Sequence, residues 1–167
     1  MAPGIAAGNE IDGALDVAVK AAFVYNFVKF TEWPALPAGA PIVACVVGDD
    51  EVASALVGIV RGHDISGHAL EVRRPRDIAT WPICNLLFIA DTEAGRSARG
   101  LDLIAKLPVL TISDGKGFSR GAGIIELYVE SGRMRFAINV DAAGRSELRL
   151  SSNLLELAKV VRDRDVR

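Results

Sequence analysis

The sequence predicts an α/β fold: a single-domain three-layer sandwich with a mostly parallel sheet and a C-terminal antiparallel hairpin. Three observations point to it. Residues 42–47 (IVACVV) and 86–90 (LLFIA) are continuous apolar runs of strand length, which suit strands buried on both faces. Segments of helical periodicity alternate with such runs, as in a parallel sheet covered on both sides. From residue 124 onward the pattern changes to apolar–polar alternation about a Ser131-Gly132 turn.

In chain order, residues 1–13 are small, polar and Gly-rich and are expected to be disordered, with one domain filling 14–167. A helix is predicted over 16–31. Ala18, Ala21, Ala22, Tyr25 and Val28 mark one side of it; Val19, Phe23, Phe27 and Phe30 mark another. A helix apolar nearly all round is buried on several sides, and in a small chain one of those sides can face another protein. Trp33-Pro34 ends it. After strand 42–47, Val52, Leu56 and Val60 give a helix to about residue 60, and 69–73 alternates as a strand. Strand 86–90 is followed by a helix over 97–106 capped by Ser97, then a strand over 108–112. Residues 124–129 and 133–140 form the hairpin. Ile125, Leu127 and Val129 share a face with Met134, Phe136 and Ile138; Glu126, Tyr128, Glu130, Arg133, Arg135 and Asn139 take the other. Glu130 then opposes Arg133, and Tyr128 opposes Arg135. A last helix over 152–162 buries Leu154, Leu157, Ala158 and Val161, with Asn153 and Glu156 as a capping box.

Composition narrows the function classes. A formal net charge of −2, with Arg73, Arg74 and Arg76 as the one basic cluster, carries no nucleic-acid footprint. No apolar run approaches the ~20 residues of a membrane helix, so no membrane insertion is expected. The start, MAPGIAAG, lacks the charged and apolar regions of an intact signal peptide. It fits a chain whose signal has been removed and equally a cytosolic one. Cys45 and Cys84 fit two buried free thiols or a disulfide. No metal site is expected, because there is no CxxC and His63 and His68 are distant in sequence.

Four groupings of residues invite a chemical reading. Asp49, Asp50, Asp91 and Asp114 follow predicted strands, where ligands of open α/β sheets bind. Such carboxylates could hold Mg²⁺ as a receiver domain does, but the lysine such a domain needs is missing after the last parallel strand; caps and turns are the simpler reading. His63 and His68 share a loop, yet no G-x-S-x-G elbow supports a hydrolase. The loop 113–123 (SDGKGFSRGAG), with Lys116 and Arg120, could cradle a phosphate on backbone N–H groups, or simply connect the parallel part to the hairpin. Arg149 precedes the last helix, where it either meets an anion drawn to the helix N-terminus or snorkels at the surface. Arg149, Arg135, Lys116 and Arg120 are therefore the ligand-binding candidates. None of these patterns builds a catalytic constellation, so the expectation is a non-enzymatic binding protein without a cofactor.

Several segments resemble the YfiR family. VKAAFVYNFVKFTEWP (19–34) is similar to its first-helix signature, and CVVGDD (45–50) to its first strand and turn. LTISDGKGFSRGAGIIEL (110–127) resembles its S-D-x-x-G-F segment, and MRFAINVDAAGRSELRLSSNLLELAKVV (134–161) its ending. The resemblance runs from about residue 17 to 163 in the same order. It implies a periplasmic location, a signal peptide already removed, a Cys45–Cys84 disulfide and a tendency to form homodimers. It implies repression of a membrane-bound diguanylate cyclase through its periplasmic sensor domain, which lowers cyclic di-GMP and biofilm formation. Phe23, Phe27 and Phe30 are then the candidate partner or dimer interface. Some members carry a second cysteine pair, whose positions Ser119 and Glu126 occupy here, so redox control through that pair is not implied for this chain. The competing expectation is a solute-binding or receiver-like signalling domain that uses the acidic strand ends or Arg149.

Overall fold

The computed structural model describes the backbone of residues 2–165 and the side chains of residues 16–93 and 97–165. Helix α1 (Ala2–Lys29) leads to a short strand β1 (Thr31–Glu32), strand β2 (Ile42–Val47), helix α2 (Asp50–Val60) and the hairpin β3 (Asp64–Ile65) and β4 (His68–Arg73). A 3₁₀ segment, Ile78–Ile83, precedes β5 (Leu86–Ile89); a second, Asp91–Arg96, precedes α3 (Ala98–Ile104) and β6 (Leu110–Ser113). A 3₁₀ turn, Phe118–Arg120, leads into β7 (Ile125–Glu130), β8 (Arg133–Asn139), α4 (Val140–Arg145), β9 (Arg149–Leu150), α5 (Ser152–Leu157) and β10 (Lys159–Val161).

The main sheet has the order β10-β8-β7-β6-β5-β2-β4-β3. Neighbours are parallel except for the β7–β8 and β3–β4 pairs. Its middle, β4-β2-β5-β6-β7, is the flavodoxin-like doubly wound order, which right-handed crossovers produce. Each buried strand alternates faces with period two. On one face Ile42, Ala44, Val46, Leu86, Phe88, Leu110, Ile112, Ile125, Leu127, Phe136 and Ile138 meet α1 and α2. On the other, Val43, Cys45, Leu87 and Ile89 meet Trp81, Leu101 and Ile104 from the 3₁₀ segment and α3. These are the three layers of the sandwich. α3 approaches closely because Gly100 has no side chain: a Cβ there would lie 2.1 Å from the Trp81 ring.

The hairpin adopts the expected register, with Leu127 opposite Phe136, Tyr128 opposite Arg135 and Glu130 opposite Arg133. Ser131 and Gly132 take positive φ at its turn. Glu130 nevertheless pairs diagonally with Arg135 at 3.4 Å rather than with Arg133. Asn139, assigned by alternation to the exposed face, is fully buried; its Oδ1 accepts from Ala142 N as the N-cap of α4.

Several elements depart from expectation. α1 starts at Ala2 rather than near residue 16, so helical backbone runs through residues 2–13 of the segment expected to be disordered; Met1 lies outside the described residues. Pro3 sits in its first turn, where the missing N–H has no helical partner to lose. Ser97 stands at the N-cap of α3 as expected but makes no side-chain cap hydrogen bond; its hydroxyl donates to Glu93 O at 2.6 Å. The predicted last helix is only Ser152–Leu157, and its remainder is β10, parallel to β8. Ser151, rather than Asn153, caps α5 by accepting from Leu154 N. Val160 and Val161 are β-branched and gain a strand partner at the sheet edge. Leu157 consequently leaves the buried stripe and is 75% exposed.

Cys45 and Cys84 form a disulfide that ties β2 to the end of the Ile78–Ile83 segment. It closes a separation of 39 residues, worth about 4 kcal/mol in the chain-entropy account. Reduction is therefore expected to lower the unfolding free energy by about that amount, read from denaturant midpoints with and without reductant. An unchanged midpoint would refute it. In the hairpin, Phe136→Ala is expected to cost about 3–5 kcal/mol. Arg135→Ala removes only an exposed ion pair and is expected to stay within about 0.5 kcal/mol. Equal losses would contradict the register.

Candidate functional site

α1 presents its two apolar sides unequally. Ala21, Val24, Phe27 and Val28 are buried. The Phe27 ring lies 5.0 Å from that of Phe136, edge to face, and Phe23 lies 5.8 Å from the same ring. Phe27 is thus core and has no surface to offer a partner, unlike Phe30, which is 40% exposed, and Phe23, which is half-buried. The chain's own C-terminal segment covers much of this side through Leu154. What remains open is a groove of about 240 Å³ walled by Phe23, Phe30, Phe136, Leu154 and Leu157. The sequence pattern missed Leu157 because helical periodicity, continued past Ala158, turned it inward. The signal was the β-branched pair in Lys159-Val160-Val161, which favours a strand.

The cationic candidates separate. Lys116 and Arg120 line one hollow, together with Tyr128 and Lys159, which the sequence did not suggest. Arg135 is held by Glu130 on the hairpin. Arg149 lies elsewhere, on β9, opposite Glu32 of β1. The helix after it has only six residues, and Ser151 already satisfies Leu154 N. The helix-dipole argument for an anion at Arg149 therefore loses its support.

The loop after β6 also differs from a phosphate cradle. Its amides at Gly117 and Ser119 donate to the Glu126 carboxylate at 3.2 and 3.0 Å, and the Ser119 hydroxyl donates to it at 2.8 Å. Asn139 Nδ2 donates to Ser119 O from below. The Ser119 and Glu126 positions, where relatives were expected to carry a second cysteine pair, are thus joined by a hydrogen bond. Gly123 lets the Phe118 ring close over this loop, since a Cβ there would lie 2.1 Å from it.

The acidic strand ends do not assemble. Asp49 caps α2 by accepting from Val52 N, while Asp50 and Asp91 are exposed. Among the described residues no three His, Cys, Asp or Glu side chains converge on a common point. Asp114 accepts from Lys20 Nζ at 2.7 Å and from Asp91 N at 2.8 Å, and Lys20 also reaches Asp16 at 2.9 Å. The lysine that meets a strand-end aspartate comes from α1, and it ties that helix to the loop after β6. Burial pushes the Lys20 ammonium down, but hydrogen bonds to Asp114 and Asp16 outweigh it and set the pKa above the ordinary lysine value. At the C-terminal turn, the Arg145 hydrogen bond to Asp163 holds that carboxyl below its usual range.

Lys20→Met is expected to destabilise the fold by about 1.5–3 kcal/mol, the range for hydrogen bonds to charged groups. A raised pKa means that this contribution is full below the ordinary lysine pKa and vanishes as pH rises through the folded-state value. The stability gap between wild type and Lys20→Met should hold across neutral pH and close at strongly alkaline pH. No gap at neutral pH, or one that persists unchanged at strongly alkaline pH, would refute the pairing.

Among the described residues no helix is long and apolar enough to cross a membrane. The resemblance read from motifs is matched by a whole-family comparison covering residues 17–159, which takes in every element from the second half of α1 to the first residue of β10. On that extent of match, the chain belongs to the YfiR/HmsC-like family.

Proposed function

We propose that this chain is a non-enzymatic periplasmic regulator. It binds the periplasmic sensor domain of a membrane-bound diguanylate cyclase, represses it, and thereby lowers cyclic di-GMP and biofilm formation. Family membership over residues 17–159 carries the reading. Two features of the molecule support it. Two of the strand-end carboxylates are engaged, Asp49 in capping α2 and Asp114 in pairing with Lys20. An apolar groove stays open between α1 and α5, where Phe30 and Leu157 offer area that association would bury. Burying one such side chain is worth about 1.5–3 kcal/mol, enough to favour a homodimer or a cyclase contact there. Phe23 contributes a wall of this surface; Phe27 supports it from inside.

The test measures cyclic di-GMP in cells that express the cyclase with wild-type or variant chain. Phe30→Glu and Leu157→Glu should keep the fold by circular dichroism, raise cyclic di-GMP to the level of cells lacking the chain, and change the sedimentation coefficient if the groove also joins copies. Phe27→Glu should instead unfold the protein, since truncation of a buried Phe alone costs about 3–5 kcal/mol. Unchanged cyclic di-GMP on deletion of the chain would overturn the function. Normal repression by folded Phe30→Glu and Leu157→Glu would move the interface elsewhere.

A further inference from the structure

The second face of the sheet is only half covered. α3 and the Ile78–Ile83 segment shield β2 and β5, with Phe118 of the loop after β6 packed against the same cluster. Over β7, β8 and β10 the same face carries Glu126, Tyr128, Ala137, Lys159 and Val161, with the loop after β6 as a flanking wall. The result is a hollow of about 430 Å³, within the size range of small-molecule sites. Its floor is mostly apolar: the Tyr128 ring, Ala137 and Val161. Its rim holds Lys116, Arg120 and Lys159.

The charges of this hollow do not balance locally. Its two carboxylates are already committed: Asp114 to Lys20 and Asp91 N, Glu126 to Gly117 and Ser119. Among the described residues Lys116, Arg120 and Lys159 make neither a salt bridge nor a side-chain hydrogen bond. A floor of one aromatic and small apolar groups beneath three unpaired cations matches a ligand with a flat apolar body and one anionic group. We propose that this hollow binds a small organic anion, an aromatic carboxylate or a phosphate or sulfonate ester of similar size. The site stands apart from the α1–α5 groove, and its existence does not depend on the cyclase reading.

Binding is tested on the purified chain with two probes: anilinonaphthalene sulfonate and its uncharged analogue phenylnaphthylamine. The sulfonate should shift the amide resonances of Tyr128, Ala137 and Val161 and weaken with added salt. The double variant Lys116→Glu, Arg120→Glu should weaken it about tenfold or more, because two charge-assisted contacts are lost. Both side chains are exposed and support no other residue, so the variant's amide spectrum should otherwise match wild type; Lys159→Gln provides an independent, milder variant with the same expected direction. Phenylnaphthylamine affinity should not respond to any of these changes. The proposal is overturned if the sulfonate perturbs Phe30 and Leu157 instead, if the variants bind it as wild type does, or if no shift develops at about millimolar probe, the weak limit for a specific site.

Discussion

The antiparallel register of β7 and β8 sets Leu127 opposite Phe136 and Tyr128 opposite Arg135. Side chains alternate with period two, so a slip of β8 by one residue would turn Arg135 toward α1 and expel Phe136 from the Phe23–Phe27 cluster. On β7, Glu126 must keep the face away from α1 to reach the amides of Gly117 and Ser119 and hold the loop after β6. β10 would lose its partner alignment, since Lys159 pairs with Ala137 and Val161 with Asn139. The helix packing on one face and the loop on the other thus rest on a single pairing. Apolar burial under α1 is what enforces it.

Once that register is set, the two faces of the hairpin have different fates. The Phe136 face is covered by α1 and Leu154, leaving only the groove at the α1–α5 edge. Among the described residues no helix covers the Ala137 face, because the crossover from β6 to β7 is a loop with one 3₁₀ turn rather than a helix. At its inner end the polar groups satisfy one another: Asn139 serves α4, Ser119 and Asp163 at once. The groove and the cationic hollow therefore lie back to back on adjacent residues of one strand.

On the other half of the sheet the second layer is thin. One 3₁₀ segment and the short α3 supply its apolar cover, with Trp81 as the largest contributor. The Cys45–Cys84 bond anchors that layer to β2 directly beneath it. A covalent tie of this kind substitutes for the area that a longer helix would have buried, which suits an oxidising compartment.

Local patterns determined much of this molecule. Continuous apolar runs identified β2 and β5, period-two alternation identified the hairpin and its register, and ordered motifs identified the family. Each of these depends on neighbours in sequence, or on a pairing that a tight turn imposes. The disulfide came through family likeness, because spacing alone left the thiols open. Tertiary structure decided the rest. The β-branched pair at 160–161 favours a strand, but whether 159–161 formed one depended on a free edge at β8 to pair with. Whether Phe27 or Phe30 faced outward depended on where Phe136 and Leu154 arrived, more than a hundred residues later in the chain. The gathering of Lys116, Arg120 and Lys159, and the pairing of Lys20 with Asp114, join segments far apart in sequence. Side-chain charge and size are legible residue by residue; which of them meet is set by sheet order and by burial summed over the whole chain.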